Sequence, residues 1–296
     1  MRGLLYICLT VVLSLQVVWG KSPQAFQVTV AGKGPAMFLI PGATSSGDVW
    51  RETVEHFKRD YTVYTFTLPG YAGVPPLSSD SILVPVKNAL KSYIRAHATE
   101  NSVIIGHSIG GFLGMWMAAE VPDIVDRLVI VDAVPFLPAL HNPSMTEEMA
   151  RKAFAQYKDY YTHMDSATVY ATQKMILQGM IRDEQARQRV LEQSVLSDRR
   201  TMGMTMYEIM SRDLRPLLNR ITLPVLVITS WDENSDALSG LTRDKKLALY
   251  NQQYAGVSRL KLTCVDQARH FVMLDQPQVF WETVTQFLNA SRITLK

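Results

Sequence analysis

Apolar and polar residues alternate over Phe26 to Val30, and the next apolar runs are each cut off by a Pro-Gly pair. Ala36 to Ile40 stops at Pro41-Gly42, and the β-branched and aromatic run Tyr61 to Leu68 stops at Pro69-Gly70. Each has the length, composition and punctuation of a strand. The period then changes. Val86, Leu90 and Ile94 recur at helical spacing within Ile82 to His97, which leads into the apolar run Ser102 to Ile105 and then a helix carrying Phe112, Met115, Trp116 and Ala119. Leu128 to Val131, Val225 to Thr229 and Leu260 to Val265 read as three further strands, and Val279 to Leu288 as a closing helix. Strands that are apolar at every position are buried on both faces. Separated by helical patterns, they predict an α/β fold with a mainly parallel central sheet and helices on both sides.

The interval from Asp132 to Val225 contains no strand pattern, and helix formers dominate it. Glu147 to Tyr161, Ala167 to Met180, Glu184 to Leu196 and Met202 to Met210 each predict a helix. The core is therefore expected in two parts, residues 21–134 and 216–296, around a helical insertion at 135–215. Met175, Met180, Met202, Met204 and Met206 lie within the insertion. Their soft, unbranched side chains suit either an adaptable apolar pocket or the packing of the insertion itself.

Residues 1–20 differ in kind. Arg2 precedes an apolar stretch from Leu4 to Val18, and Val18-Trp19-Gly20 puts small or aliphatic residues where a signal peptidase reads, so cleavage before Lys21 is expected. The stretch is short for a bilayer span, which takes roughly 20 apolar residues, so no stable membrane anchor is expected after cleavage. Removal takes Cys8 with it and leaves Cys264 as the one cysteine, so an intramolecular disulfide is impossible in the mature chain. This predicts a secreted or periplasmic protein held together by its core.

Composition narrows the partners. The chain has 296 residues, 47% hydrophobic and 19% charged, which suits one large globular domain or a core with an insertion. Its formal net charge is only +3, and no block of five like charges occurs, so nucleic acid is not indicated.

The most informative short stretch is "IIGHSIGGF". Gly106-His107-Ser108-Ile109-Gly110 fits G-x-S-x-G between an apolar run and a helix, a turn so sharp that side chains at the outer positions would clash. Such a turn pushes the Ser108 hydroxyl out of the sheet. A serine at its free pKa is a poor nucleophile, so it needs a base. Of six histidines, His270 is best placed, on a short loop after the last strand and before "FVMLDQP". His107 adjoins the serine and reads as a packed or supporting ring, while His56, His97, His141 and His163 lie in helix or surface contexts. No histidine pair has metal-ligand spacing, and no metal or cofactor is implied.

Four stretches in order, "FLIPGATSSGDVW", "FTLPGYAG", "VIIGHSIGG" and "ARHFVMLDQP", make residues 25 to 290 resemble the α/β-hydrolase superfamily. The resemblance implies that the helical insertion is a cap over the active site. It also implies an acid that orients His270. In relatives that acid usually follows the strand that here is "PVLVITS", in a G-x-x-D turn; this chain has "SWDENSD", where register points to Glu233, with Asp232 and Asp236 as neighbours. A second solution in the superfamily puts the acid after the preceding strand, where "VIVDAVP" supplies Asp132. Asp132 and the Asp232 to Asp236 loop both remain candidates. The oxyanion donors implied are the backbone amides of Ile109, at a helix N-terminus, and Ala43. Pro41-Gly42 replaces the His-Gly common in relatives, which leaves a backbone donor intact. Trp50 is expected to close its loop as a buried aromatic.

These readings predict a serine hydrolase that acts on a small-molecule carboxylic ester with an apolar part, through an acyl-enzyme at Ser108. A peptidase, a lactonase or a C–C bond hydrolase would use the same parts. A serine nucleophile argues against the haloalkane dehalogenases, which need a carboxylate there. A non-catalytic ligand-binding protein on the same fold is the alternative from another class, and the irregular acid loop favours it.

Overall fold

The computed structural model describes residues 26–236 and 240–293. The leader expected over residues 1–20, with Cys8, lies outside them. Seven strands form one sheet: β1 (Gln27–Gly32), β2 (Ala36–Ile40), β3 (Thr62–Thr67), β4 (Val103–His107), β5 (Arg127–Val131), β6 (Val225–Trp231) and β7 (Leu260–Asp266). Their spatial order is β1-β3-β2-β4-β5-β6-β7, and only β1 runs antiparallel to its neighbour.

Every residue of β2, β4 and β5 is buried. Because successive side chains point to opposite faces of a strand, the same apolar runs supply two cores. Phe38, Ile40, Ile104, Leu128, Ile130 and Val227 face one, and Met37, Leu39, Ile105, Val129, Val131 and Ile228 face the other. The connecting helices are α1 (Arg51–Phe57), α2 (Leu83–His97) and α3 (Ile109–Glu120). Helix α2 lays Val86, Leu90 and Ile94 on the first face, beside α3, which is buried on nearly its whole circumference. On the second face lies the closing helix Pro277–Ile293, packed through Phe280, Val284, Phe287 and Leu288 at the i, i+4, i+7, i+8 spacing of one apolar stripe.

Between β5 and β6 stand four helices, α4 (Glu147–Ala153), α5 (Ser166–Met180), α6 (Glu184–Ser194) and α7 (Arg199–Ser211). Thr146, Asp165, Asp183 and Asp198 cap them in turn, each side chain accepting a backbone N–H of the first turn. Such caps contribute about 1 kcal/mol each. They also explain why α7 begins at Arg199, ahead of the expected Met202. The helix expected over Glu147 to Tyr161 ends at Ala153, where Phe154 leaves helical geometry and stacks on Tyr157 with ring centroids 5.8 Å apart. A tighter turn over Ala155–Asp159 follows and brings Tyr161 inward.

After β6 come a short turn of helix, α8 (Glu233–Asp236), and α9 (Arg243–Gln253); after β7 come α10 (Val272–Asp275) and the closing helix, α11. The hydrophobic pattern does not reveal α1 or α9, because both are polar over most of their surface.

Candidate active site

The turn from β4 into α3 has no room for side chains at its flanking glycines. A Cβ on Gly106 would sit 2.3 Å from the Gly110 carbonyl oxygen, and one on Gly110 would sit 2.2 Å from that of Ile40. Between them Ser108 adopts φ 53°, ψ −120°, a conformation that costs a non-glycine residue of order 1–3 kcal/mol. Its N–H donates to the Val131 carbonyl at 2.9 Å, and its own carbonyl accepts from the Phe112 N–H at 3.0 Å, so the turn is held at both sides.

Ser108 and His270 line one cavity of ≈ 310 Å³ between the sheet's C-terminal edge and helices α5 and α7. Ala43 and Ile109 line it as well. Gly42 lies against the serine: a Cβ there would approach the Ser108 Cβ at 3.2 Å and His107 Nδ1 at 2.8 Å.

His270 and Asp132 meet directly, Nδ1 to Oδ2 at 2.8 Å. Asp132 is the residue after β5, itself at φ 45°, and its N–H donates to the Ile228 carbonyl at 2.8 Å. Its other oxygen, Oδ1, accepts hydroxyls from Thr229 at 3.0 Å and Tyr250 at 2.9 Å. Burial alone would push this carboxyl up. The bond and charge of His270, with Lys246 and Tyr250, outweigh burial and hold it well below the usual carboxylate range. The carboxylate thus stays ionised, fixes the ring and leaves Nε2 for the cavity.

The other acid candidates lie elsewhere. Glu233 is exposed at the start of α8. Asp232 is 1% exposed and faces Arg182 (Nη1 to Oδ2, 3.2 Å) and Arg269 (Nε to Oδ1, 3.6 Å). Asp236 pairs with Lys246 at 2.9 Å and accepts the Asp232 N–H. The loop read as a possible acid donor therefore ties the core to Arg182, between α5 and α6.

His107, fully buried, hydrogen-bonds through Nε2 to the His270 carbonyl at 3.0 Å, and its ring lies 4.5 Å from the His270 ring. Since a carbonyl only accepts, Nε2 carries the proton and Nδ1 is bare. Burial first, then His270, push its pKa well below the usual histidine value, so it is a neutral strut for the His270 loop. Trp50 is buried, its ring nearly perpendicular to that of His107 with centroids 6.5 Å apart, and it is not among the residues that line the cavity. Of the five methionines, Met180, Met202 and Met206 line the cavity, Met204 packs on the core, and Met175 is exposed.

The loop that carries His270 is bonded to the inserted helices. The Phe271 N–H donates to the Met180 carbonyl at 3.2 Å, and Arg269 Nη1 to the Gln178 carbonyl at 2.5 Å. Asp275 accepts the N–H groups of Arg182 and Asp183 on one oxygen and of Arg269 on the other. Sequence reading missed Thr229, Tyr250 and Asp275; a hydroxyl inside an apolar strand was the one visible signal, at Thr229.

A pimeloyl-[acyl-carrier protein] methyl ester esterase of Vibrio atlanticus is 28% identical over 205 residues, covering 67% of this chain and 76% of that protein. Among solved structures, an esterase from Exiguobacterium antarcticum matches with a TM-score of 0.71 at 15% identity, over 89% of this chain and 95% of that one. A hydrolase from Pseudomonas aeruginosa matches with a TM-score of 0.70 at 18% identity, over 89% and 93%. Both share the fold. A family model described as alpha/beta hydrolase family matches residues 37–283, and this chain, a hydrolase, belongs to that family.

Proposed function

We propose that the protein hydrolyses a carboxylic ester through an acyl-enzyme on Ser108. The observation that carries this reading is the 2.8 Å bond between His270 and Asp132 at the wall of the cavity that Ser108 enters. His270 Nε2 takes the Ser108 proton as Oγ attacks the carbonyl carbon, and the Ile109 and Ala43 amides receive the oxyanion. Collapse of the tetrahedral species breaks the C–O bond, and the alcohol leaves with the proton from His270. Water then attacks the acyl carbon, its proton passing to His270, and Ser108 is released with the acid product.

The cavity favours an ester with an apolar acyl part, since isoleucine, leucine and methionine side chains make up most of the lining contributed by the inserted helices. The esterase name carried by the Vibrio relatives points the same way. A complete Asp132-His270 pair also weighs against a purely binding role. Labelling with a fluorophosphonate probe, followed by a screen of p-nitrophenyl esters of rising chain length, tests the proposal. Labelling and turnover that both vanish in Ser108→Ala support it; labelling that persists in that variant removes it.

We further propose that residues 1–20 are cleaved on export and that the mature protein works outside the cytoplasm. Arg2 and the apolar stretch after it support this. Protein recovered from the periplasm or medium should begin at or near Lys21 on N-terminal sequencing, whereas Met1 on the exported, active form would refute cleavage.

A further inference from the structure

Among the described residues, the lining of the cavity contains no Asp, Glu, Lys or Arg. The inserted segment nevertheless places three polar side chains in it: Tyr161, Gln173 and Thr205. Gln173 is 3% exposed, an unusual degree of burial for a side-chain amide. It stands on α5 in line with Leu177 and Met180, which also line the cavity. About two helical turns, roughly 10 Å along the axis, separate it from Met180, whose carbonyl holds the base loop. Gln173 therefore marks the end of the cavity remote from His270. Tyr161 is buried beside it with its hydroxyl hydrogen-bonded to the Gln173 side chain, and Thr205 faces the buried Tyr71 hydroxyl in the same way.

One shared bond does not exhaust the donors and acceptors of an amide and a phenol, and capacity left dry in an apolar cavity costs free energy. An amide, a phenol and an alcohol each donate and accept. A ligand group that does both would satisfy them, while a carboxylate would enter without a cation to meet it. We propose that the substrate is an uncharged ester whose acyl chain carries a hydroxyl or carboxamide at its far end, received by Gln173 and Tyr161. This rests on the ester-hydrolase reading and adds the chemical class of the acyl group.

The test is a series of p-nitrophenyl esters of increasing acyl length, each length made with a methyl, a carboxamide and a carboxylate terminus. At the length that reaches Gln173, the carboxamide should exceed the methyl ester in kcat/KM by about tenfold, the worth of one neutral hydrogen bond. The carboxylate should fall below both. In Gln173→Leu the carboxamide-to-methyl ratio should collapse to about one, and Tyr161→Phe should lower it as a second, volume-conserving variant. Methyl esters equal to or better than carboxamides at every length would overturn the proposal while leaving ester hydrolysis standing, and so would a preference for the carboxylate. Absence of turnover of any ester, with no labelling of Ser108, would instead remove the parent reading.

Discussion

His270 Nδ1 bonds to Oδ2 of Asp132, one strand away from where register had pointed to Glu233. Two hydroxyls on the opposite oxygen fix the carboxylate's orientation. Asp132→Asn keeps the shape but presents an amide to the ring, which disturbs its tautomer. We expect kcat to fall by about 10⁴-fold, as the equivalent change does in a serine protease triad, with circular dichroism unchanged. Glu233→Gln should stay near the wild-type rate. Sensitivity at Glu233 with tolerance at Asp132 would reverse the assignment.

His107 predicts a pH dependence. In the unfolded chain it titrates near the ordinary histidine value of about 6.5, and in the folded protein well below. Between those values the unfolded state binds more protons, so stability is full above about 6.5 and declines as pH falls through that window. His107→Phe should flatten the fall of Tm on acidification in that range. It also removes the bond to the His270 carbonyl, and on the proposed mechanism we expect kcat to drop by up to about 10²-fold, the order of effect that a small misplacement produces.

Two glycines should respond in opposite ways to the same substitution. Gly110→Ala forces a methyl against the Ile40 carbonyl at 2.2 Å and should yield little folded protein. Gly179, exposed in α5, meets nothing within 4 Å of an added Cβ. Gly179→Ala should stabilise by about 0.5–1 kcal/mol through helix propensity, read as a rise in Tm.

Asp232→Asn should lower stability without abolishing turnover. It leaves the partly exposed Arg182 and Arg269 facing a buried neutral amide. Because both arginines reach solvent, the loss should be about 1 kcal/mol, and denaturant unfolding should show it. Activity kept within about tenfold would separate this position from Asp132; a loss as deep as that of Asp132→Asn would place Asp232 in the chemistry.

Most of the sheet was legible because strands buried on both faces leave uninterrupted apolar runs, as at Ala36 to Ile40, which matches β2 residue for residue. The acid was not. Asp132 and Glu233 both follow strands that end on the same edge, and a one-dimensional pattern cannot choose between them. The deciding contacts come from Thr229, across one strand, and from Tyr250 on α9. That helix reads "RDKKLALYNQQ", too polar to announce itself, although Tyr250 is its buried anchor. Gln173 was equally silent, since a single glutamine between apolar helix positions looks like a solvent-facing residue until its neighbours in space are known.

The bonds that join Met180 to Phe271, and Arg182 and Asp183 to Asp275, bear on any attempt to re-engineer selectivity. Replacing the inserted helices with those of another hydrolase would graft a new pocket and also detach the loop that carries His270. A chimera would have to exchange residues 176–183 and 267–276 as one matched unit, because the two segments share hydrogen bonds that neither would find in a foreign host.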